Sequence, residues 1–520
     1  MNPKTPVIVG VGQILNRSKN LDAAVEPIQM MLEALSQAEK DSEAKVLPAA
    51  TSIRVIKGVW DYGDPAGYIA EKIGCAEAET IGTLFGGNQV QAVLNRSCLE
   101  ILAGQQQLVL LAGAENGSSS ARARKQGVQL PKTAINGSPD EVVGSQKPEH
   151  HEYEIAKGIR QAIQVYPMYE NAIRHARQES MQEHLVRVSE LWSRFNEVGL
   201  ENPNAWIQSR HTAEEIRTPS SSNRAVSFPY TKMMNANMVV DMGAALIICS
   251  VEQAKKLGIP ERKWIYPYAG VQGYDHFSAS VRDCFHTSPG LRIVGRRVME
   301  LAEVEADDLD FVDLYSCFPS AVQVAAMELG LSESRPLTVT GGLTFGGGPL
   351  NNYVMHSVAR TVELLRDSPA SKGLVTANGG NLYKHVHCVY GSEPPNQDFQ
   401  FQSVQDDIDA LPSRECLPEY RGKVEIESYS VMYSGEEPSV AHCACRTKEG
   451  SRVWANCDDP DVMLSMTQEE LLGVEGFKEK LASKIHLNVK KSLENAKMVD
   501  IMAASNLFGH GMGKKKMIAI

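Results

Sequence analysis

Short apolar runs recur along the chain, each followed by glycine or by a stretch with helical spacing. Residues 7–10 (VIVG) are apolar and close on Gly, the pattern of a strand buried on both faces. Val25, Ile28, Met31, Leu32 and Leu35 then fall at helical intervals, with Pro27 where a helix would begin. Residues 53–56 (IRVI) predict the next strand, 90–103 a helix and 108–112 (LVLLA) another buried strand. Strands alternating with helices predict right-handed βαβ units and a largely parallel sheet. From about 116 to 225 the apolar runs give way to Ser, Ala, Arg and charged residues, with helical periodicity over 168–197. That stretch predicts an inserted, mainly helical region.

Strand character returns at 243–249 (GAALIIC), and a second α/β half follows. Its elements are a helix at 290–303, a strand at 308–314, a helix at 319–330, a helix marked by Val354, Val358, Val362 and Leu365, and a strand at 374–377 (LVTA). The halves share one unit. Phe85-Gly86-Gly87-Asn88 precedes a helix and then the strand ending LAGAEN; Phe345-Gly346-Gly347-Gly348 precedes a helix and then the strand ending TANGGN. This repetition predicts an internal duplication. Residues 395–416 read as a polar linker. Beyond them, 423–431 (KVEIESYSV), 439–447 (SVAHCACRT) and WANCDD alternate as strands, the last two joined by the turn KEGSR, and predict a small antiparallel β domain. The last 50 residues read as helical and run into the basic GKKK.

Length and charge narrow the function. A chain of 520 residues calls for two to three domains. A net charge of −11 argues against nucleic acid and against an anionic membrane surface. No apolar run reaches the length of a membrane span, and MNPKTPVIVGVG does not read as a signal peptide. The ten cysteines are scattered without a CxxC pair, and the histidines lack ligand spacing, so reduced thiols in the cytoplasm and no metal site are expected.

The densest chemical signal is TGGLTFGGGPLNNY, around Gly341. Glycines let the backbone approach a ligand closely, and the helix that follows can aim amide N–H groups at an anion or a developing oxyanion. The segment resembles the SGGLxxxGHPxG motif of the thiolase superfamily, especially the sterol-carrier-protein type of thiolase. Thr340-Gly341-Gly342-Leu343, Gly347, Pro349 and Leu350 fit, and Gly348 stands where the motif has His. TPVIVGVGQ resembles that family's first strand, and NANMVVDMGAA (Asn235 to Ala245) its NxSxxxDGAA turn. DLDFVDLYSCF resembles the strand leading to its His-Asp-Cys-Phe motif, and VTANGG its late Cys loop. The likeness runs in order over about residues 5–392.

The resemblance implies an α/β protein with the duplicated thiolase fold, five αβαβα layers, an inserted helical loop region and a small C-terminal antiparallel β domain. The N-terminal half would span 1–255, with the inserted loop region at 116–225. The C-terminal half would span 256–394, and an additional β-barrel-like domain 417–520, as in the thiolase-like proteins that carry an extra β-barrel. It also implies an acyl-CoA thioester as substrate or ligand, with no separate cofactor. Because thiolases pair through the sheet edge of the first half, a monomer or a homodimer is expected.

Within that resemblance the catalytic positions are changed. A thiolase nucleophile is a Cys at a helix N-terminus, where its pKa falls; here the position is Gly87. Tyr315-Ser316-Cys317-Phe318 takes the place of His-Asp-Cys-Phe, Gly347-Gly348-Pro349 that of Gly-His-Pro, and Ala377-Asn378-Gly379-Gly380 that of the late Cys loop. Losing one oxyanion-hole donor alone costs roughly a hundred- to a thousand-fold in turnover. Arg282-Asp283-Cys284-Phe285-His286 looks like the missing motif, but it precedes the helix at 290–303 and is not its equivalent. Cys98 reads as a core residue, and His356 as packed within its helix. The remaining catalytic candidates are Cys317 as nucleophile or base, His385 (flanked by Lys384 and His387) as general base, and Tyr315 and Asn378 as donors to a thioester carbonyl. Gly87, Asn88, Gly347, Gly348, Pro349, Gly379 and Gly380 are the candidate substrate-binding positions. Three functions stay open: an acyl-CoA-binding protein with acyltransferase chemistry lacking the usual Cys, an active acetyl-CoA C-acyltransferase, and a non-catalytic acyl-CoA sensor or scaffold.

Overall fold

In the computed structural model the described residues are 1–457, 459, 460 and 464; the helical reading of the last 50 residues lies outside them. The first half runs β1 (Pro6–Leu15), α1 (Pro27–Ser42), β2 (Ser52–Val55), α2 (Pro65–Ile73), β3 (Glu79–Thr83), α3 (Gln89–Ala103) and β4 (Leu108–Asn116). The insertion adds α4 (Gly117–Gln126), β5 (Glu141–Val143), α5 (Glu152–Ala156), α6 (Ala162–Ala176), α7 (Met181–Glu201), α8 (Ala213–Arg217), β6 (Ala225–Phe228) and β7 (Tyr230–Thr231), and β8 (Asp241–Ser250) closes the half. The second half runs α9 (Val251–Lys256), β9 (Tyr266–Tyr274), α10 (Pro289–Ala302), β10 (Phe311–Asp313), α11 (Pro319–Leu329), α12 (Tyr353–Asp367), β11 (Lys372–Gly379), β12 (Lys384–Gly391), β13 (Gln400–Ser403) and α13 (Gln405–Asp409). The tail supplies β14 (Cys416–Leu417), β15 (Glu425–Ser434), β16 (Glu437–Arg446) and β17 (Arg452–Cys457).

The first sheet has the order β1-β8-β4-β2-β3-β5 and the second β10-β11-β12-β9-β13. The run β1-β8-β4-β2 matches β9-β12-β11-β10, with antiparallel, antiparallel and parallel pairing in both. The fold is therefore a duplication. The expectation of a largely parallel sheet is corrected, because the return strands β8 and β12 run antiparallel to both neighbours. A strand that returns without a crossover helix has to lie antiparallel. All ten residues of β8 are buried, which explains its unbroken apolar character.

Helices α3 and α12 lie side by side between the sheets, each touching strands of both, while α1 and α2 cover one outer face and α10 the other. This is the five-layer αβαβα arrangement, and it brings the N-termini of α3 and α12, with their Gly-rich approaches, into the interior.

The insertion holds more than helices. The helix read at 168–197 is two helices, because Gln178 turns left-handed (φ 57) and Ser180 starts α7 with a reciprocal Ser180–Glu183 capping box. Strand β5 extends the first sheet along β3. Strands β6 and β7 join the tail in a third sheet, order β14-β17-β16-β15-β6-β7. This sheet is mixed, since β14 runs parallel to β17. Its β15 edge is covered by β6 instead of being left open to other chains. Gln400–Ser403, within the stretch read as linker, is the edge strand β13, parallel to β9.

Candidate functional site

The two Gly-rich approaches meet the loop after β10 and the end of β11. Gly87 opens α3 so close to its neighbours that a Cβ there would lie 2.3 Å from Tyr315 Oη and 2.4 Å from the Asn378 carbonyl oxygen. No side chain fits at position 87 unless both Tyr315 and the Asn378 backbone move. A Cβ on Gly379 would meet Asn88 Oδ1 at 2.3 Å. Gly87, Asn88, Tyr315, Asn378 and Gly379 thus form one packed cluster. Asn88 is 1 % exposed, and beside the Tyr274 hydroxyl neither its Oδ1 nor its Nδ2 completes a well-formed hydrogen bond. Oδ1 of Asn378 is buried and unpartnered as well. Buried amide groups without partners are costly, so these atoms are ready to meet a polar ligand.

Cys317 joins this cluster between β10 and α11. Its thiol contacts the Tyr166 hydroxyl and the Asn378 amide, and Asn378 Nδ2 donates to Tyr166 Oη at 3.0 Å. Burial pushes the thiol up to about 12, against the smaller opposing pull of those hydrogen bonds. Burial likewise raises the Tyr315 phenol. Tyr166 comes from insertion helix α6 and stacks on Phe318 at 4.3 Å between ring centres. Nothing in its sequence context marked it, because the insertion has no counterpart in the duplicated pattern.

The second Gly-rich segment is held by its own surroundings. Gly341 (φ 93), Gly342 (φ 72) and Gly347 (φ 104) take conformations that favour glycine. The amides of Gly341 and Gly342 donate to Thr338 Oγ1 at 3.1 Å, that of Leu343 to Ser316 Oγ at 3.2 Å and that of Gly348 to the Asn237 carbonyl at 2.9 Å. The insertion roofs the loop: Trp206 and Ile207 amides donate to the Gly346 and Phe345 carbonyls, both at 2.9 Å. Pro349 follows, partnering its carbonyl with the Asn352 amide at 2.9 Å. A residue that sequence reasoning missed organises this approach. Buried Asp313 accepts from the Val339 amide and from the hydroxyls of Thr338, Tyr353 and Ser357, all at 2.8–2.9 Å.

His385 points elsewhere. Its Nε2 lies 3.1 Å from Asp275 Oδ2 and 3.2 Å from Ser288 Oγ, and its Nδ1 is buried without a partner. Ser288 donates to Asp275 at 2.5 Å, so the serine hydroxyl is directed at the carboxylate and not at the imidazole. Asp275 stays well below the usual carboxylate range: burial opposes this, but the His385 hydrogen bond and the Arg282 charge outweigh it. His387 is pushed down to about 3 by burial and by His385. Lys384 is buried over the Tyr383 ring, and burial lowers its ammonium. His356 sits within α12, with Nδ1 2.8 Å from Gln13 Oε1. Gly380 (φ 64) packs on Tyr383 at the turn out of β11.

Comparison with known proteins agrees with this architecture. Residues 403–478 match the family described as Thiolase-like protein type 1 additional C-terminal domain. The structure superposes on a monomeric SCP2-thiolase-like protein type 1 from Mycobacterium smegmatis with a TM-score of 0.78 and 30% identity, covering 91% of this chain and 97% of that one. The dimeric peroxisomal thiolase of Saccharomyces cerevisiae shares the fold at a TM-score of 0.52 and 12% identity, over 76% of this chain and 98% of that one. An acetyl-CoA acetyltransferase of Methanocaldococcus jannaschii is 24% identical over 127 residues, 21% of this chain and 32% of that protein. A DNA ligase of Acanthamoeba polyphaga mimivirus is 44% identical over 64 residues, 12% of this chain and 10% of that protein. The chain therefore spans a third or less of the length of these two curated relatives. Among the described residues no helix is long and apolar enough to cross a membrane.

Proposed function

The chain belongs to the SCP2-thiolase-like proteins of type 1, and from that premise we propose that it binds an acyl-CoA thioester at the junction of its two halves without using the ordinary thiolase nucleophile. The observation that carries this reading is the packing at Gly87. Position 87, which the resemblance aligns with the thiolase Cys, has the Tyr315 hydroxyl and the Asn378 carbonyl where a Cβ would stand. Cys317, a thiol that contacts Asn378 in the same cluster, is held protonated by burial. The orphaned Nδ2 of Asn88 supplies a donor for a thioester carbonyl, and the orphaned Oδ1 atoms of Asn88 and Asn378 supply acceptors for N–H or O–H groups of the ligand. Strand β5 already lies along β3, the edge where thiolases pair, and this supports a monomer.

Calorimetric titration with acyl-CoA esters of increasing chain length tests the proposal. Saturable binding is expected, weakened about tenfold by Asn88→Ala, the order of one ligand hydrogen bond. Failure of every ester to bind would leave the thiolase fold without its ligand and overturn the reading.

A further inference from the structure

A second thiol lies in a different setting. Cys284 and His286 are half-buried and line a cavity of about 260 Å³ between insertion helix α6 and strands β15 and β16 of the third sheet. The Cys284 thiol hydrogen-bonds the His286 imidazole and lies 2.9 Å from Thr287 Oγ1. Arg174 and Arg446 line the same cavity. Arg174 is 6 % exposed, and the Nε atoms of both arginines are buried without hydrogen-bond partners. Arg446 already pairs with Glu425 at 3.4 Å, whereas Arg174 donates from Nη1 to the Glu179 carbonyl at 3.3 Å; its buried Nε–H without an acceptor is costly, and an anionic acceptor would satisfy it.

The cavity is built from the additional sheet. Arg452, fully buried on β17, grips the Glu427 carboxylate at 2.8 Å and donates to the carbonyls of Ala279 and Ser280 at 2.9 and 3.1 Å and to that of Arg282. Trp454 Nε1 donates to Ser280 Oγ at 2.9 Å. These bonds fix the segment that presents Cys284.

The geometry points to Cys284 and His286 as a reactive dyad that accepts the acyl group of a short-chain thioester, with an anionic part of the substrate held by Arg174. This rests on the thioester reading above but places covalent chemistry away from Gly87. The thiolate attacks the thioester carbonyl carbon and forms a new S–C bond. Collapse breaks the bond from that carbon to the leaving sulfur. The leaving thiolate takes the proton of the His286 imidazolium, so acyl-enzyme, free thiol and neutral imidazole balance the step. Burial alone would raise the Cys284 thiol, yet hydrogen bonds from His286 and Thr287 and the charges of His286 and Arg282 outweigh it and lower it. Every other cysteine with a resolved shift moves up. A volume near 260 Å³ suits a short acyl head, not a long chain.

The test incubates the full chain with acetyl-CoA and maps adducts by peptide mass spectrometry, with acetyl-CoA binding measured on the same protein. A hydroxylamine-sensitive acetyl adduct on Cys284 is expected, absent in Cys284→Ser and formed at least tenfold more slowly in His286→Gln. Arg174→Gln is expected to raise the acetyl-CoA concentration for half-maximal acylation severalfold. Saturable binding with Cys284 left as free thiol, or acylation unaffected by His286→Gln, would overturn the dyad and leave the junction reading standing. No acetyl-CoA binding and no adduct would overturn the dyad, whereas the junction reading falls only if the longer esters fail to bind as well.

Discussion

Cys317 and Cys284 sit in segments of similar wording, Tyr315-Ser316-Cys317-Phe318 and Arg282-Asp283-Cys284-Phe285, and the fold gives them opposite chemistry. Cys317 is walled in by Tyr166, Asn378 and Phe318, where nothing charged offsets the loss of water, and its thiol rises to about 12. Cys284 faces a cavity together with His286, interacts with His286, Thr287 and Arg282, and its thiol falls below the ordinary value. Both segments lie in the same half and both precede helices. What separates them is the third sheet, which converts a surface segment of the thiolase core into the wall of a charged cavity. Reactivity follows the surrounding charge and solvent, not the motif.

The largest expected effect is on alkylation. A thiol near 12 holds on the order of 10⁻⁵ of its population as thiolate at neutral pH. Iodoacetamide is therefore expected to label Cys284 at least ~1,000-fold faster than Cys317, read as a time course by peptide mass spectrometry. Comparable rates would erase the distinction between the two sites.

Removing the clamp between the third sheet and the Cys284 segment tests whether the cavity depends on that sheet. Arg452→Met leaves Glu427 and three backbone carbonyls without their buried cation. Breaking a buried pair in this way costs about 3–5 kcal/mol, measurable by urea unfolding. Alkylation of Cys284 is expected to slow toward that of an ordinary thiol, with Cys317 unchanged. Fast labelling in a folded Arg452→Met protein would show that the local Cys284–His286 contact suffices.

At the other site the test is steric. Gly87→Cys forces a Cβ against Tyr315 Oη and the Asn378 carbonyl, and overpacking of this kind costs about 1–3 kcal/mol. Adding Tyr315→Ala is expected to recover part of that loss, read from denaturation midpoints of the single and double variants. A silent Gly87→Cys would mean that Tyr315 and the Asn378 backbone move freely and that the junction is more open than its packing indicates.

Much of this was legible in the residues. The repeated Phe-Gly-Gly before two helices announced the duplication, and of the candidate positions Gly87, Asn88, Tyr315, Asn378 and Gly379 lie together, whereas Gly347 and Gly348 pack against Met242, Trp206 and Asn237. The antiparallel return strands were not legible, because an apolar run carries no direction. Nor were the roles of Tyr166 and Asp313. Tyr166 reaches the junction from an insertion outside the repeat, and Asp313 reads as an ordinary strand-end carboxylate until Thr338, Tyr353 and Ser357 fold around it. His385 looked available in sequence because Asp275 and Ser288, which engage it, lie far away along the chain. The wording around Cys284 was visible, but its reactivity depends on residues of a sheet more than a hundred positions further on.

The smallest effect is the most discriminating for the dyad. Deprotonation creates the reactive thiolate, so a lowered pKa keeps that form populated further down the pH scale. An ordinary thiol near 8.5 loses roughly 25-fold of its thiolate between pH 9 and pH 7. Cys284 is expected to lose clearly less over that interval. His286 is raised by the hydrogen bond it donates to Cys284, against an opposing burial, and Glu328 and Glu427 face it, so the imidazolium persists as pH falls toward 7. Arg282 and Arg292 interact with Cys284 by charge and favour the thiolate throughout this range. In His286→Gln the steep decline of an ordinary thiol should return, because the partner cation is gone while the arginines remain. A curve as flat in His286→Gln as in the parent would assign the lowered thiol to the arginines and remove His286 from the chemistry.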